Sequence, residues 1–283
     1  KRINPCFQSF KNIRNTFVDT KRIMIESISW DFVKKGALNS FIRRNVPVVI
    51  TDIDSSLPLI DWTIERLIEK YGHVKIRVLK SEGQYFSYDE VKERTIVQMP
   101  LLDFYRKGVL CPGSDGFYYT LGRSPVDQFD EFKSYMCLPQ SLARIVDGAL
   151  RKPERNIWLS PRGTRTALHF DAVENLNLQI EGSKSFLIYP PRIKQMHTCK
   201  WHSQAAYVSR VDPRQQTHIE EFPYETGQDV QLSAGEMLYL PYGWWHQVDT
   251  IGDLNLNANF WWFPRIKLLT FPQQTLRGAA VLV

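Results

Sequence analysis

The chain has 283 residues, 43% hydrophobic and 13% aromatic, which is enough apolar surface for a substantial core and excludes a disordered chain. Its four cysteines, at positions 6, 111, 137 and 199, lack the compact spacing of a disulfide framework. No apolar run approaches membrane-spanning length and no secretory apolar segment opens the chain, so the expectation is an intracellular protein, nuclear or cytoplasmic, with no membrane partner; a first residue of Lys1 leaves room for a trimmed leader. The net charge of +6 is dispersed over short basic pairs such as Lys1-Arg2, Lys21-Arg22 and Arg43-Arg44. Such pairs read either as a solvated face or as attraction to nucleic acid or an acidic protein.

From the N-terminus, helix-forming residues run from Trp30 to Arg43, followed by a buried strand at Pro47 to Thr51. The stretch Asp61 to Gly72 has an Asp cap, apolar positions at 64, 67, 68 and 71 and a closing glycine, which together specify an amphipathic helix. A strand from His73 to Leu79 comes next, then helices around Pro100 to Arg106 and Pro139 to Leu150. Residues 1–150 are therefore expected to form an α/β support region packed on a C-terminal β domain.

Eight short β-branched or aromatic-rich runs make up that domain, at Arg155 to Ser160, Thr166 to Phe170, Asn175 to Ile180, Ser185 to Tyr189, Asp229 to Leu232, Glu236 to Leu240, Trp245 to Thr250 and Asn255 to Trp262. This count and spacing fit a mainly β fold with helices, its core at residues 151–263 a double-stranded β-helix, the jelly roll or cupin-like barrel. Two strands alternate amide with apolar residues, Asn175-Leu-Asn-Leu-Gln-Ile180 and Asn255-Leu-Asn-Ala-Asn259. Their polar faces cannot both be ordinary core, so at least one should line a wet cavity.

His169-Phe-Asp171 lies at the end of one expected strand. With six histidines and sixteen aspartates, a His-x-Asp arises by chance about 0.3 times per chain, so the pattern alone is weak. A strand places positions 169 and 171 on one face, however, where both could grip one ion. His246, in Tyr242-Gly-Trp-Trp-His246, is a third candidate ligand; the alternative for both histidines is a structural role. Two imidazoles and a carboxylate can occupy one face of octahedral Fe(II) and leave three positions open. His197-Thr-Cys199-Lys-Trp-His202 carries possible zinc donors but no C-x-x-C pair, and reads better as a loop at the cavity mouth. Trp244, Trp245 and Trp262 read as packing residues.

The run T-A-L-H-F-D-A-V-E-N-L-N-L-Q-I-E-G-S-K, from Thr166 to Lys184, is followed in order by S-F-L-I-Y-P-P, A-G-E-M-L-Y-L-P-Y-G-W-W-H and N-F-W-W. This series resembles the JmjC-type iron- and 2-oxoglutarate-dependent oxygenases, particularly the small branch of the factor-inhibiting asparaginyl hydroxylase and the tRNA wybutosine hydroxylase. The likeness covers Arg155 to Phe263 well and the N-terminal half loosely; it departs at Ala167, where relatives commonly carry proline.

The resemblance implies that His169, Asp171 and His246 bind Fe(II), with 2-oxoglutarate and O2 as co-substrates. Lys184 would pair with the distal carboxylate of 2-oxoglutarate, assisted by the hydroxyl of Thr166 and by Tyr119, with Tyr118 as the other candidate. Asn175 and Asn259 would bond near the metal-bound end of the co-substrate, and Trp261 would wall the substrate pocket beside the iron. The implied reaction is hydroxylation coupled to oxidative decarboxylation of 2-oxoglutarate to succinate and carbon dioxide. A protein side chain is the expected substrate. Lysine demethylation and hydroxylation of an RNA base are the enzymatic alternatives, and a catalytically silent cupin-like binding module is the non-enzymatic one. The apolar segment 264–283 is expected to be helical and either to mediate a homodimer or to pack on the barrel.

Overall fold

The computed structural model describes residues 25–86, 95–111, 113–114, 116–120, 126–147, 153–193, 195–198, 207–215 and 219–264. Its N-terminal part contributes strands β1 (Glu26–Ser29), β2 (Val48–Thr51), β3 (Lys75–Ser81), β4 (Tyr85–Phe86), β5 (Thr95–Pro100) and β6 (Phe117–Thr120). The remaining strands are β7 (Glu154–Pro161), β8 (Arg165–Thr166), β9 (His169–Phe170), β10 (Glu174–Glu181), β11 (Ser183–Tyr189), β12 (Gln228–Ser233), β13 (Met237–Leu240), β14 (Trp245–Thr250) and β15 (Leu254–Trp262).

Two sheets face each other. The major sheet has the order β1-β2-β13-β10-β15-β7, and the minor sheet β12-β11-β14-β8-β4 with β9 also paired to β14. From β7 onward the chain crosses repeatedly between them, which is the expected double-stranded β-helix. A third sheet, β5-β3-β6, lies outside this pair. Strands β1, β2 and β4 enter the two main sheets, so the N-terminal region does more than pack on the barrel.

The alternating strands are polar inward and apolar outward. Leu176 and Leu178 of β10, and Leu256, Ala258 and Phe260 of β15, join the largest core cluster, where they meet N-terminal residues such as Trp30 and Trp62. The amide side chains consequently face the barrel interior. The outer face of the minor sheet is covered by a second cluster, in which Leu168, Phe170 and Trp245 pack with Met196, Val211 and Phe222 from the β11–β12 connection.

Several expected boundaries are corrected. The single helix over Trp30 to Arg43 is two, Trp30–Lys34 and Leu38–Arg44, because Gly36 takes a left-handed φ of 93° between them. Asp61 is not the cap of the next helix: it closes a short 3-10 turn, and the helix Ile64–Tyr71 is capped by Thr63, whose hydroxyl accepts from Arg66 N at 3.2 Å. Strands β1, β4, β5 and β6 and the helix Asp130–Tyr135 were not anticipated. The expected strand Thr166 to Phe170 divides into β8 and β9, since pairing with β14 runs Asp249↔Arg165 and then His246↔His169, a one-residue slip. Among the described residues no helix is long and apolar enough to cross a membrane. The C-terminal segment beyond Pro264, with the dimer expectation, lies outside the described residues.

Candidate metal and co-substrate site

Strand alternation sets the site. In the β9–β14 pair, Phe170 and Trp245 turn outward and meet edge to face at 4.9 Å, while His169 and His246, also register partners, bring their rings to 4.2 Å. Asp171 follows two residues after His169, and Gly243 N holds its backbone by donating to Asp171 O at 3.0 Å. One Asp171 oxygen lies 3.9 Å from Nε2 of His169 and the other 3.8 Å from Nε2 of His246. These three residues form the only cluster of three or more His, Cys, Asp or Glu among the described residues whose ligand atoms, all within 4.8 Å of one another, could hold a metal ion.

The imidazole tautomers follow from the backbone. Nδ1 of His169 lies 2.7 Å from Ala167 O, and Nδ1 of His246 lies 3.1 Å from Trp244 O. A carbonyl only accepts, so each Nδ1 carries a proton, and Nε2 is the ring atom on the Asp171 side. Burial, with a smaller contribution from His169, holds the His246 imidazole well below its ordinary pKa against the opposing bond to Trp244 O. Burial also raises the Asp171 carboxyl, opposed by His169. Two imidazoles and a carboxylate facing one cavity form a donor set suited to a divalent cation.

That cavity has a volume of about 240 Å³, and all nine residues expected from sequence line it: His169, Asp171, His246, Lys184, Thr166, Tyr119, Asn175, Asn259 and Trp261. Lys184 is 4% exposed on β11 and donates to Oδ1 of Asn257; among the described residues no carboxylate pairs with it. Burial lowers its ammonium pKa to about 7. Thr166 Oγ1 accepts from Val248 N at 3.1 Å, which leaves its own hydrogen to donate. Tyr119 stacks on Trp158 with ring centroids 5.3 Å apart, whereas Tyr118 belongs to the main core. Trp261 and Trp158 are tilted neighbours at 6.5 Å.

Further lining residues went unanticipated: Glu154, Trp158, Asn177, Asn257 and Tyr207. Asn177 and Asn257 lie in the alternating runs already read as facing a cavity, and Trp158 alternates with the core residues Ile157 and Leu159, so period-two counting could have found these three. Tyr207 comes from a connection and carries no sequence signal. Arg165, just before the metal-ligand strand, is tied to Asp249 at 2.6 Å and Asp212 at 3.4 Å. Trp244, Trp245 and Trp262 are packing residues as expected. Cys199 and His202 lie outside the described residues.

Comparison with known proteins agrees with this architecture. Residues 35–267 match the cupin-like domain family. Lysine-specific demethylase JMJ30 of Arabidopsis thaliana is 26% identical over 236 residues, covering 81% of this chain and 52% of the relative. JmjC domain-containing protein D of Dictyostelium discoideum is 34% identical over 258 residues, 84% and 56% of the two chains. The bifunctional arginine demethylase and lysyl-hydroxylase psr-1 of Caenorhabditis elegans is 23% identical over 247 residues, 82% and 57%. The chain thus spans about half the length of these curated relatives. With its two-sheet barrel, its His-Asp-His cluster and this match over most of its length, the chain belongs to the cupin-like JmjC domain family, a family of Fe(II)- and 2-oxoglutarate-dependent oxygenases.

Proposed function

We propose that this chain is an Fe(II)- and 2-oxoglutarate-dependent dioxygenase that hydroxylates a protein side chain. One observation carries the reading: the His169-Asp171-His246 donor set and the buried Lys184 ammonium, which pairs with no carboxylate among the described residues, line the same cavity. His169 and His246 would hold the iron through Nε2 and Asp171 through a carboxylate oxygen. Lys184 takes the distal carboxylate of 2-oxoglutarate as a point charge, with Thr166 and Tyr119 beside it. Asn175 and Asn259 would bond near the end of the co-substrate that meets the metal, and Trp261 would wall the substrate side. When bound, iron with 2-oxoglutarate and O2 supplies the oxidising power, consuming the keto acid to succinate and carbon dioxide. The protein contributes orientation and exclusion of water, to which the stacked Tyr119 and Trp158 and the neighbouring Trp261 contribute one aromatic wall.

Lysine demethylation is the second reading, supported by the name of the JMJ30 relative. Both outcomes begin with oxidation of a C–H bond and differ in whether the attacked carbon is attached to nitrogen. The test is succinate production from 2-oxoglutarate with Fe(II), together with mass spectrometry of candidate peptides and RNAs. An added oxygen on a peptide supports hydroxylation, a lost methyl group redirects the assignment to demethylation, and an added oxygen on RNA replaces the protein substrate. No turnover with any candidate, together with iron binding that is unchanged in His169→Ala, overturns the oxygenase reading and leaves a binding module.

A further inference from the structure

We propose that Asn257 is a positioning residue, the centre of a one-way hydrogen-bond chain that runs from Lys184 through Asn257 and Asn259 to Asn175 and links the two ends of the co-substrate site. This inference rests on the oxygenase reading and adds to it a residue that aims the carboxylate anchor.

The chain crosses the barrel. Lys184 lies on β11 of the minor sheet, while Asn257 and Asn259 lie two residues apart on β15 of the major sheet, beside Asn177 and Asn175 of β10. An ammonium only donates, so the atom of Asn257 facing Lys184 is Oδ1. Its Nδ2 must then donate, and it does so to Oδ1 of Asn259 at 2.8 Å and Oδ1 of Asn177 at 3.1 Å. Asn259 is oriented in turn, its Nδ2 donating to Oδ1 of Asn175 at 2.9 Å. The direction set by one cation thereby reaches Asn175, four residues after Asp171, and fixes which edge of that amide carries its donor. None of the five side chains belongs to a residue more than 7% exposed, so water cannot readily replace a lost partner.

The chemistry of position 257 matters as well. An amide oxygen gives the buried ammonium a hydrogen-bond partner without cancelling its charge, which stays available to a carboxylate ligand. An aspartate of nearly the same size would neutralise the ammonium and could not donate to Asn259 or Asn177.

The experiment is calorimetric titration of 2-oxoglutarate into the Mn(II)-loaded full chain, from pH 6.5 to 8.5, for wild type, Asn257→Asp and Asn257→Leu. Both variants should bind 2-oxoglutarate about tenfold or more weakly. Wild-type affinity should fall as pH rises above 7 and Lys184 loses its proton; in Asn257→Asp this fall should move to higher pH, because the new carboxylate retains that proton. A purely space-filling role would leave the aspartate variant's pH profile in place. Wild-type affinity and pH profile in Asn257→Asp, or wild-type affinity in Asn257→Leu, would overturn the relay while leaving the oxygenase reading intact. Failure of the wild type itself to bind 2-oxoglutarate would overturn both.

Discussion

His169 and His246 are direct cross-strand partners, with ring centroids 4.2 Å apart and each Nδ1 tied to a carbonyl two residues earlier in the chain. Because the backbone holds each ring on its far side, the two Nε2 atoms are preorganised and little reorganisation accompanies metal binding. Removing either ring should therefore affect the metal more than the fold. His246→Ala is expected to weaken Mn(II) binding by at least about a hundredfold and to abolish turnover with Fe(II). In the wild type, Mn(II) at a thousandfold excess over Kd should add about 4 kcal/mol of stability, and this increment should vanish in the variant while its metal-free melting temperature stays within a few degrees. Calorimetry and thermal melts with and without metal measure both effects.

Lys184 makes the stability of the ligand-free protein depend on pH. Its folded pKa is lowered by burial to about 7 from an ordinary value of 10.5. Between those values the unfolded chain binds more protons than the folded one, so this group makes stability rise with pH from about 7 toward 10.5. Below about pH 7 the ammonium is charged in both states and its full desolvation cost remains. Lys184→Met should remove this upward slope and leave the apoprotein neutral to more stable near pH 7, by up to roughly 4 kcal/mol, while 2-oxoglutarate binding is lost. Urea denaturation at a series of pH values gives the slope; an unchanged slope in the variant would contradict the assignment.

The sequence revealed more of the site than of its surroundings. His169 and Asp171 were legible because strand alternation puts them on one face, whereas the roles of His246 and Lys184 came from the likeness of their surrounding runs to the JmjC enzymes. The one-residue slip between β8 and β9, between Arg165 and His169, had no signal of its own in the residue pattern. Asn177 and Asn257 were hidden in plain view: alternation put them on the wet face, but only the cross-barrel contact with Lys184 gives them an order. Strands β1 and β2 pair with each other, and β2 with β13, almost two hundred residues away. Such non-local pairing cannot be read from a short apolar run.

Asp249 links the minor sheet to residues 207–215. It accepts from Arg165 Nε at 2.6 Å and also receives Arg214, while Arg165 reaches Asp212 at 3.4 Å. The same segment pairs with the metal strand, through Phe170 N to Tyr207 O at 3.1 Å and Ser209 N to Leu168 O at 2.8 Å. Asp249→Ala would leave two partly buried guanidinium groups without this shared acceptor. It should cost about 1–3 kcal/mol, less than a fully buried pair because Arg165 is partly exposed. Cleavage by protease within 207–215 should rise in parallel. Stability loss with no change in the cleavage pattern would show that Asp249 does not secure this segment.

The helix Ile64–Tyr71 is fastened at its N-terminus by two side chains from different parts of the chain. Thr63 Oγ1 accepts from Arg66 N at 3.2 Å, and Glu181 Oε2, at the end of β10, accepts from Ile64 N at 2.7 Å. The first is a local cap; the second joins the helix to the major sheet. Thr63→Ala should cost about 1 kcal/mol, whereas Asp61→Ala, at the exposed end of the preceding turn, should stay within about 0.5 kcal/mol. Glu181→Ala removes the carboxylate from an otherwise orphaned helix N–H and should cost about 1–2 kcal/mol. Because the two bonds serve different N–H groups of the same helix start, the double variant should lose about the sum of the single losses, and less than the sum if fraying at one group already weakens the other. Denaturant midpoints of the three single variants and the double variant decide this. A larger loss from Asp61→Ala than from Thr63→Ala would return the cap to Asp61.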